Sequence, residues 1–276
     1  MTVQDIAKHL RMSWNTIKEI DKEYLERHFN KPSLKDVRYL AIDEFAVSKG
    51  HTYQTIVIDV ENMDILFIGD GRRKDSLDPF WKRLKRSGAK IQAVAMDMWV
   101  PYFESVMTHI PKAKIVLDHF HIIKNMNRVI DDIRRLVYHT ESDILKRKVI
   151  KGTRWLLLKN PENLSDVRDE KIRLQEALKL NEPLAMAYYL KEELRMLWSC
   201  KSKREAEMYL ESWRKKVYAT SIGPLIKFAN SLSGHRSAIL NWFDHKISTG
   251  PLEGINNKIK VLKRKAYGFR DMEYLN

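Results

Sequence analysis

Cysteine is almost absent: Cys200 is the only one in 276 residues. A single cysteine excludes an intrachain disulfide and any multi-cysteine zinc site, and it agrees with a reducing compartment. Long apolar runs are missing too. No stretch approaches the roughly 20 residues that a membrane-spanning helix needs. The start, Met1-Thr2-Val3-Gln4-Asp5, has no basic segment followed by an apolar one, so no signal peptide is expected. Acid is in short supply: 36 Asp and Glu stand against 50 Lys and Arg, a net charge of +14. A surplus of that size favours a polyanionic partner, either nucleic acid or an acidic membrane surface. No basic amphipathic segment stands alone outside the expected core, which speaks against a membrane. There is no internal repeat and no low-complexity tract.

What is present begins with two short helices. Val3, Ile6, Ala7 and Leu10 share one helical face, with Thr2 as N-cap and Asp5 three residues on. Arg11-Met12-Ser13 makes a turn, and Ser13 opens a second helix carrying Trp14, Ile17, Ile20, Tyr24 and Leu25. Two helices joined so tightly form the helix-turn-helix pattern, whose second helix enters the major groove with its first turns. Those turns offer Ser13, Trp14, Asn15, Thr16 and Lys18 to DNA. An ordinary helical hairpin has the same pattern; the tight spacing and the basic context favour DNA binding.

Past Lys31-Pro32-Ser33 the pattern shifts to strands. Val37 to Val47, Thr52 to Val60 and Asp64 to Ile68 are β-prone runs separated by hairpin-length breaks, so they pair antiparallel. A helix from Leu77 to about Arg86 stops at Gly88. Then come a strand from Ile91 to Met96, a helix from Tyr102 to His109, a strand from Ala113 to Leu117 and a long basic helix from about Ile122 to Tyr138. The order β-β-β-α-β-α-β-α, with a crossover between the fourth and fifth strands, resembles the ribonuclease-H-like mixed sheet of the α/β class, its first, fourth and fifth strands adjacent and parallel. From about 140 to 240 strand character is lost, and four or five helices form an all-helical insertion. The expected organisation is a helix-turn-helix segment (1–32), the first part of an α/β core (33–139), the insertion (140–244) and a closing helix of the core (245–276).

Three of the expected strands end in an aspartate: Asp43, Asp97 and Asp118. Open α/β sheets place their chemistry at such ends. A lone aspartate there is most often a turn or helix cap. Two or three crowded carboxylates repel one another and suit a divalent cation such as Mg²⁺. A fourth acid stands apart. Glu253 lies on the first turn of a late helix, two residues after Pro251, a favoured first-turn residue. Ile255, Ile259 and Leu262 form that helix's packing face. Asn256, Asn257, Lys260 and Arg264 continue the exposed stripe of Glu253. From Gly254 to Arg270 there are six cations, Arg270 the last, and no acid. A solvated basic helix fits these residues; beside a metal-binding Glu they suit phosphate contacts better.

The residues then resemble a known family. The segments Ala41-Ile42-Asp43-Glu44, Ala95-Met96-Asp97-Met98, Leu117-Asp118-His119-Phe120-His121, Trp155-Leu156-Leu157-Leu158-Lys159-Asn160-Pro161-Glu162-Asn163-Leu164, Leu252-Glu253-Gly254-Ile255-Asn256-Asn257-Lys258-Ile259-Lys260 and Ala266-Tyr267-Gly268-Phe269-Arg270 are similar to those of DDE transposases of bacterial insertion sequences, in the ISL-three group. The resemblance covers essentially the whole chain, and the segment around Glu253 is its most specific part. It implies a catalytic and metal-binding triad of Asp43, Asp97 and Glu253 holding two Mg²⁺ or Mn²⁺ ions. It also implies accessory roles for Asp118 and His121 in an Asp-x-x-His motif. The partners it implies are the element's DNA ends, target DNA and further copies of the chain, as a homodimer or higher oligomer on DNA in the bacterial cytoplasm, at the nucleoid. The implied activity is metal-dependent strand cleavage and strand transfer. Related transposases carry a cysteine-rich zinc-binding segment ahead of the helix-turn-helix and a further segment after the closing helix, and neither is seen here. The alternative is therefore a truncated, non-catalytic DNA-binding form that acts as an inhibitor or regulator.

Overall fold

The computed structural model describes residues 2–28, 32–48 and 52–265. Arg270 and the whole segment Ala266–Arg270 lie outside the described residues. The chain comprises two compact units: Met1–Val94, Val100–Ala113 and Thr249–Asn276 form the first, and Ala95–Trp99 with Lys114–Ser248 form the second.

The first unit opens with α1 (Val3–Leu10) and α2 (Trp14–His28). Thr2 and Asp5 close a reciprocal capping box on α1: the Asp5 amide donates to Thr2 Oγ1 at 3.1 Å and the Thr2 amide to Asp5 Oδ2 at 2.9 Å. Arg11 ends the helix in the left-handed region (φ 51), which supplies the turn. The Thr16 amide then donates to Ser13 Oγ at 3.0 Å, so Ser13 caps α2 as its sequence position predicts. The apolar face expected on α2 is mostly exposed. Ile17 is buried, whereas Trp14, Ile20, Tyr24 and Leu25 are open.

The strands β1 (Tyr39–Ser48), β2 (Thr52–Asp59) and β3 (Ile65–Asp70) pair antiparallel in the expected order. Beyond the last of them, α3 (Asp78–Ser87) stops at Gly88, whose φ of 72° suits a residue without Cβ. Next come β4 (Ala93–Met96) and α4 (Val100–His109), followed by β5 (Lys114–Leu117) and the long α5 (His119–Thr140). The fold is mixed α/β around a five-stranded sheet of order β3-β2-β1-β4-β5. The first unit's core includes Leu40, Ile42, Ile56, Ile58, Phe80 and Tyr102, all fully buried. Two polar pairs lie inside that core: the Trp81 indole donates to Ser105 Oγ at 2.7 Å, and Thr55 Oγ1 lies 2.8 Å from the Tyr102 hydroxyl.

The second unit continues through α6 (Ile144–Gly152), α7 (Arg154–Leu158), α8 (Glu170–Leu180), α9 (Glu182–Arg195), α10 (Lys203–Ala219), α11 (Gly223–Gly234) and α12 (Arg236–Leu240). Seven α-helices thus occupy the region where the periodicity suggests four or five. Short pieces such as α7 and α12 hold too few residues to show a period. Lys191 on α9 is fully buried, yet its ammonium donates to the Leu157 and Lys159 carbonyls at 2.9 and 3.1 Å. It thereby satisfies the carbonyl end of α7, where a cation also complements the helix dipole. The final helix, α13 (Gly250–Lys265), belongs to the first unit and packs on β1.

Candidate active site

In the first unit Asp43 does not end its strand. It sits within β1, opposite Ile56 on β2, half-buried and flanked by the fully buried Ile42. The expectation of a strand-end aspartate fails here because β1 runs on to Ser48, beyond the apolar core positions. Asn256 on α13 donates from Nδ2 to Asp43 Oδ2 at 3.0 Å. Asn256 is 6% exposed, and its amide oxygen is buried without a hydrogen-bond partner.

That burial corrects the expected stripe on α13. Residues advance about 100° each around a helix. Asn256 therefore lies to one side of Glu253, toward Leu252, and Leu252 is fully buried. Glu253, Asn257, Lys260 and Arg264 are exposed, as expected. Leu262 is 53% exposed and leaves the packing face assigned to it, while Ile255 and Ile259 are half-buried. The helix is rotated so that Leu252 and Asn256, rather than Ile255 and Leu262, meet β1.

In the second unit Asp97 directly follows β4, and its Oδ1 accepts the Trp99 amide at 2.8 Å. Burial pushes the Asp97 carboxyl above its ordinary range, against the opposing pull of His121, the Trp99 amide, Lys124 and Arg128. A carboxylate desolvated in this way gains strongly from a nearby cation. Asp118 caps α5: its Oδ1 accepts the Phe120 amide at 2.8 Å, and its side chain is 2% exposed. The Asp118 amide donates to the Met96 carbonyl at 3.1 Å, tying the end of β5 to β4. His119 Nδ1 stands 3.6 Å from Asp118 Oδ1, and the His121 ring meets Phe120 edge-on at 5.5 Å.

A hard divalent cation takes oxygen donors, and carboxylates are its preferred ones. Asp43, Asp97 and Glu253 are donors of that kind. The buried Asn256 amide oxygen in the first unit and the Asp97 carboxyl in the second are each oxygen donors, so the donor chemistry of each suits such a cation. Among the described residues, no three His, Cys, Asp or Glu side chains already group to hold a metal ion.

At the N-terminal helices, Trp14, Asn15 and Thr16 are exposed, and the Lys18 ammonium lies 5.6 Å from the Trp14 ring centroid. Ser13 and Thr16 share a side-chain hydrogen bond of 2.7 Å, so both already serve the cap. Two features escape sequence reasoning. One is Asn256 as the partner of Asp43, for which helical spacing from Leu252 is the available signal. The other is a carboxylate on α5, Asp131, surrounded by arginines.

A family model described as a transposase, of the DDE ISL3 type, matches residues 40–276. The chain belongs to this DDE transposase family of insertion sequences. It is 39% identical over 275 residues to the transposase for insertion sequence element IS1001 of Bordetella parapertussis, covering 99% of this chain and 67% of that one. It is 27% identical to the transposase for insertion sequence element IS1557 of Mycobacterium tuberculosis, covering 98% of this chain and 66% of that one. The chain thus spans about two thirds of the length of the curated relatives it matches. The chain of a Drosophila P element transposase strand transfer complex aligns at 11% identity with a TM-score of 0.44, covering 88% of this chain and 76% of that one. Among the described residues, no helix is long and apolar enough to cross a membrane.

Proposed function

We propose that this chain carries the catalytic centre of an insertion-sequence transposase that cuts element ends and joins them to target DNA. On this reading the five-stranded sheet is ribonuclease-H-like, and Asp43, Asp97 and Glu253 hold two Mg²⁺ or Mn²⁺ ions. When bound, such ions activate a water nucleophile and stabilise the departing 3′-oxygen in phosphodiester cleavage. The chain's own groups position that chemistry. Asn256 fixes the Asp43 carboxylate through its amide. The Trp99 amide orients Asp97, and the charges of His121, Lys124 and Arg128 keep its carboxyl from rising further. Asp118 starts α5, the helix that carries those three side chains. Asn257, Lys260 and Arg264 face solvent beside Glu253 and contact the DNA backbone. The first turns of α2 read the element's ends, and the protein works as a dimer or larger assembly on DNA.

The observation that carries this proposal is the hydrogen bond from Asn256 Nδ2 to Asp43 Oδ2, which brings the helix of Glu253 against β1 in a chain of this family. The test is metal-dependent nicking of a duplex carrying the element's end. Asp43→Asn, Asp97→Asn and Glu253→Gln each abolish nicking and leave duplex binding in place. Retained Mg²⁺-dependent nicking in any one of the three overturns the assignment.

A further inference from the structure

Asp131 on α5 is 6% exposed and is met by three guanidinium groups. Arg134 and Arg135 approach it at 2.8 Å, and Arg154 of α7 at 3.4 Å. One buried carboxylate thus holds three cations, leaving two positive charges over. Arg134 is nearly covered, with 11% of its side chain exposed, whereas Arg135 and Arg154 are 58% and 44% exposed. Arg154 is held a second time, its guanidinium 4.9 Å from the ring centroid of Trp155. Ion pairing fixes both exposed guanidiniums with donor edges still free for another acceptor, because a guanidinium carries five N–H groups.

The neighbouring helix extends the charge. Ile144 to Arg154 contains Lys146, Arg147, Lys148, Lys151 and Arg154 and no acid, whereas Lys159 beyond it is paired with Glu170 at 2.7 Å. Arg147 is stacked 4.8 Å from the Tyr138 ring on α5. Helices α5, α6 and α7 contact one another, so these cations belong to one packed assembly within the second unit. A solvated helix face normally mixes signs, as α10 does with its Glu205, Glu207 and Glu211 among the basic residues. An acid-free run beside a carboxylate-organised pair of arginines is built differently.

We propose that the α5–α6–α7 face is a DNA-backbone-binding surface, separate from α2 and α13, in which Asp131 positions Arg135 and Arg154 to contact phosphates. The proposal rests on the reading of this chain as a DNA-binding transposase and names a further part of its DNA contact. Arginine forks match phosphate oxygens two at a time, and pre-ordering them reduces the entropy lost on binding. Contacts of this kind position DNA and carry no sequence information.

The test uses the whole chain and a short fluorescent duplex of arbitrary sequence, titrated across a range of salt. Arg135→Ala with Arg154→Ala lowers affinity roughly tenfold and flattens the slope of log K against log salt by about 2. Arg135→Lys with Arg154→Lys restores the slope but not the full affinity. As a charge control, Arg204→Ala with Lys215→Ala removes the same two charges from exposed positions on α10 and leaves the slope unchanged. Equal losses from both pairs, or no loss from the first, overturn the proposal. Preferential binding of phosphatidylserine vesicles through Arg135 and Arg154, with duplex affinity untouched, overturns it in favour of a membrane surface. If the unaltered chain binds no duplex at all, the DNA-binding reading itself fails, which is a different result.

Discussion

Asn256 Nδ2 donates to Asp43 Oδ2 at 3.0 Å across a separation of 213 residues. The bond joins the middle of β1 to the second turn of α13 and fixes the direction of a half-buried carboxylate. Hydrogen bonds to charged groups contribute about 1.5–3 kcal/mol each. Asn256→Ala therefore lowers unfolding stability by about 1–2 kcal/mol, the loss offset in part because the orphaned amide oxygen goes too. Chemical denaturation measures it. Asn256→Asp places a second carboxylate against Asp43, so its destabilisation is larger at neutral pH than at pH 4. An Asp variant as stable as the parent at neutral pH refutes the contact.

Asp97 gives the opposite sign. Its carboxyl titrates above the ordinary carboxylate value because burial penalises the charge. Between the unfolded and folded pKa values the native state holds a proton that the unfolded chain has lost, so stability falls as pH rises through that window. Above the window the penalty is fully present. Without divalent metal at pH 7, Asp97→Asn raises the melting temperature, and the gain vanishes in acid below the unfolded carboxylate pKa. Added Mg²⁺ or Mn²⁺ stabilises the parent chain more than the variant. Thermal melts at several pH values, with and without metal, check both statements.

Asp131 behaves in the usual carboxylate direction. Burial pushes it up, but the hydrogen bond from Arg134 and the charges of Arg134, Arg154 and Arg135 outweigh that and hold it below its ordinary range. Its contribution is therefore present above the unfolded pKa and lost as pH falls through the lowered folded value. Asp131→Asn destabilises at pH 7 because three arginines lose their shared partner. The difference from the parent narrows in strong acid, which acid-dependent denaturation curves reveal.

Glu253 separates chemistry from stability. It is exposed on the first turn of α13. Glu253→Gln changes unfolding free energy by less than about 0.5 kcal/mol, as exposed substitutions usually do. The same variant eliminates nicking. A large stability loss would mean that Glu253 belongs to the scaffold.

Local signals were readable in the sequence wherever one residue governs the geometry. Thr2 and Asp5 announce the start of α1, Gly88 the end of α3, and alternating Ile, Val and Thr the antiparallel β1–β3. The identity of Asp118 was ambiguous because a strand-end carboxylate and a helix cap look alike as letters; the Phe120 amide decides for the cap. The rotation of α13 was not readable. Ile255, Ile259 and Leu262 have the better apolar spacing, and only the fit against β1, where Asp43 needs a donor, turns Asn256 inward. The short helices of the second unit were also obscure, since a five-residue helix completes little more than one turn. The Asp131 cluster depends on α7 reaching α5, which spacing along the chain does not announce.

The first unit is assembled from three separate stretches, the last of which, Thr249–Asn276, follows the whole of Lys114–Ser248. Chains are made from the N-terminus and tend to fold domain by domain as they emerge. The ribosome therefore releases β1 and Asp43 long before it releases Asn256 and Glu253. Throughout that interval the nascent protein holds its sheet without the helix that completes the proposed centre. On the proposed function, an enzyme made in this order stays unarmed near nucleic acid until α13 has emerged.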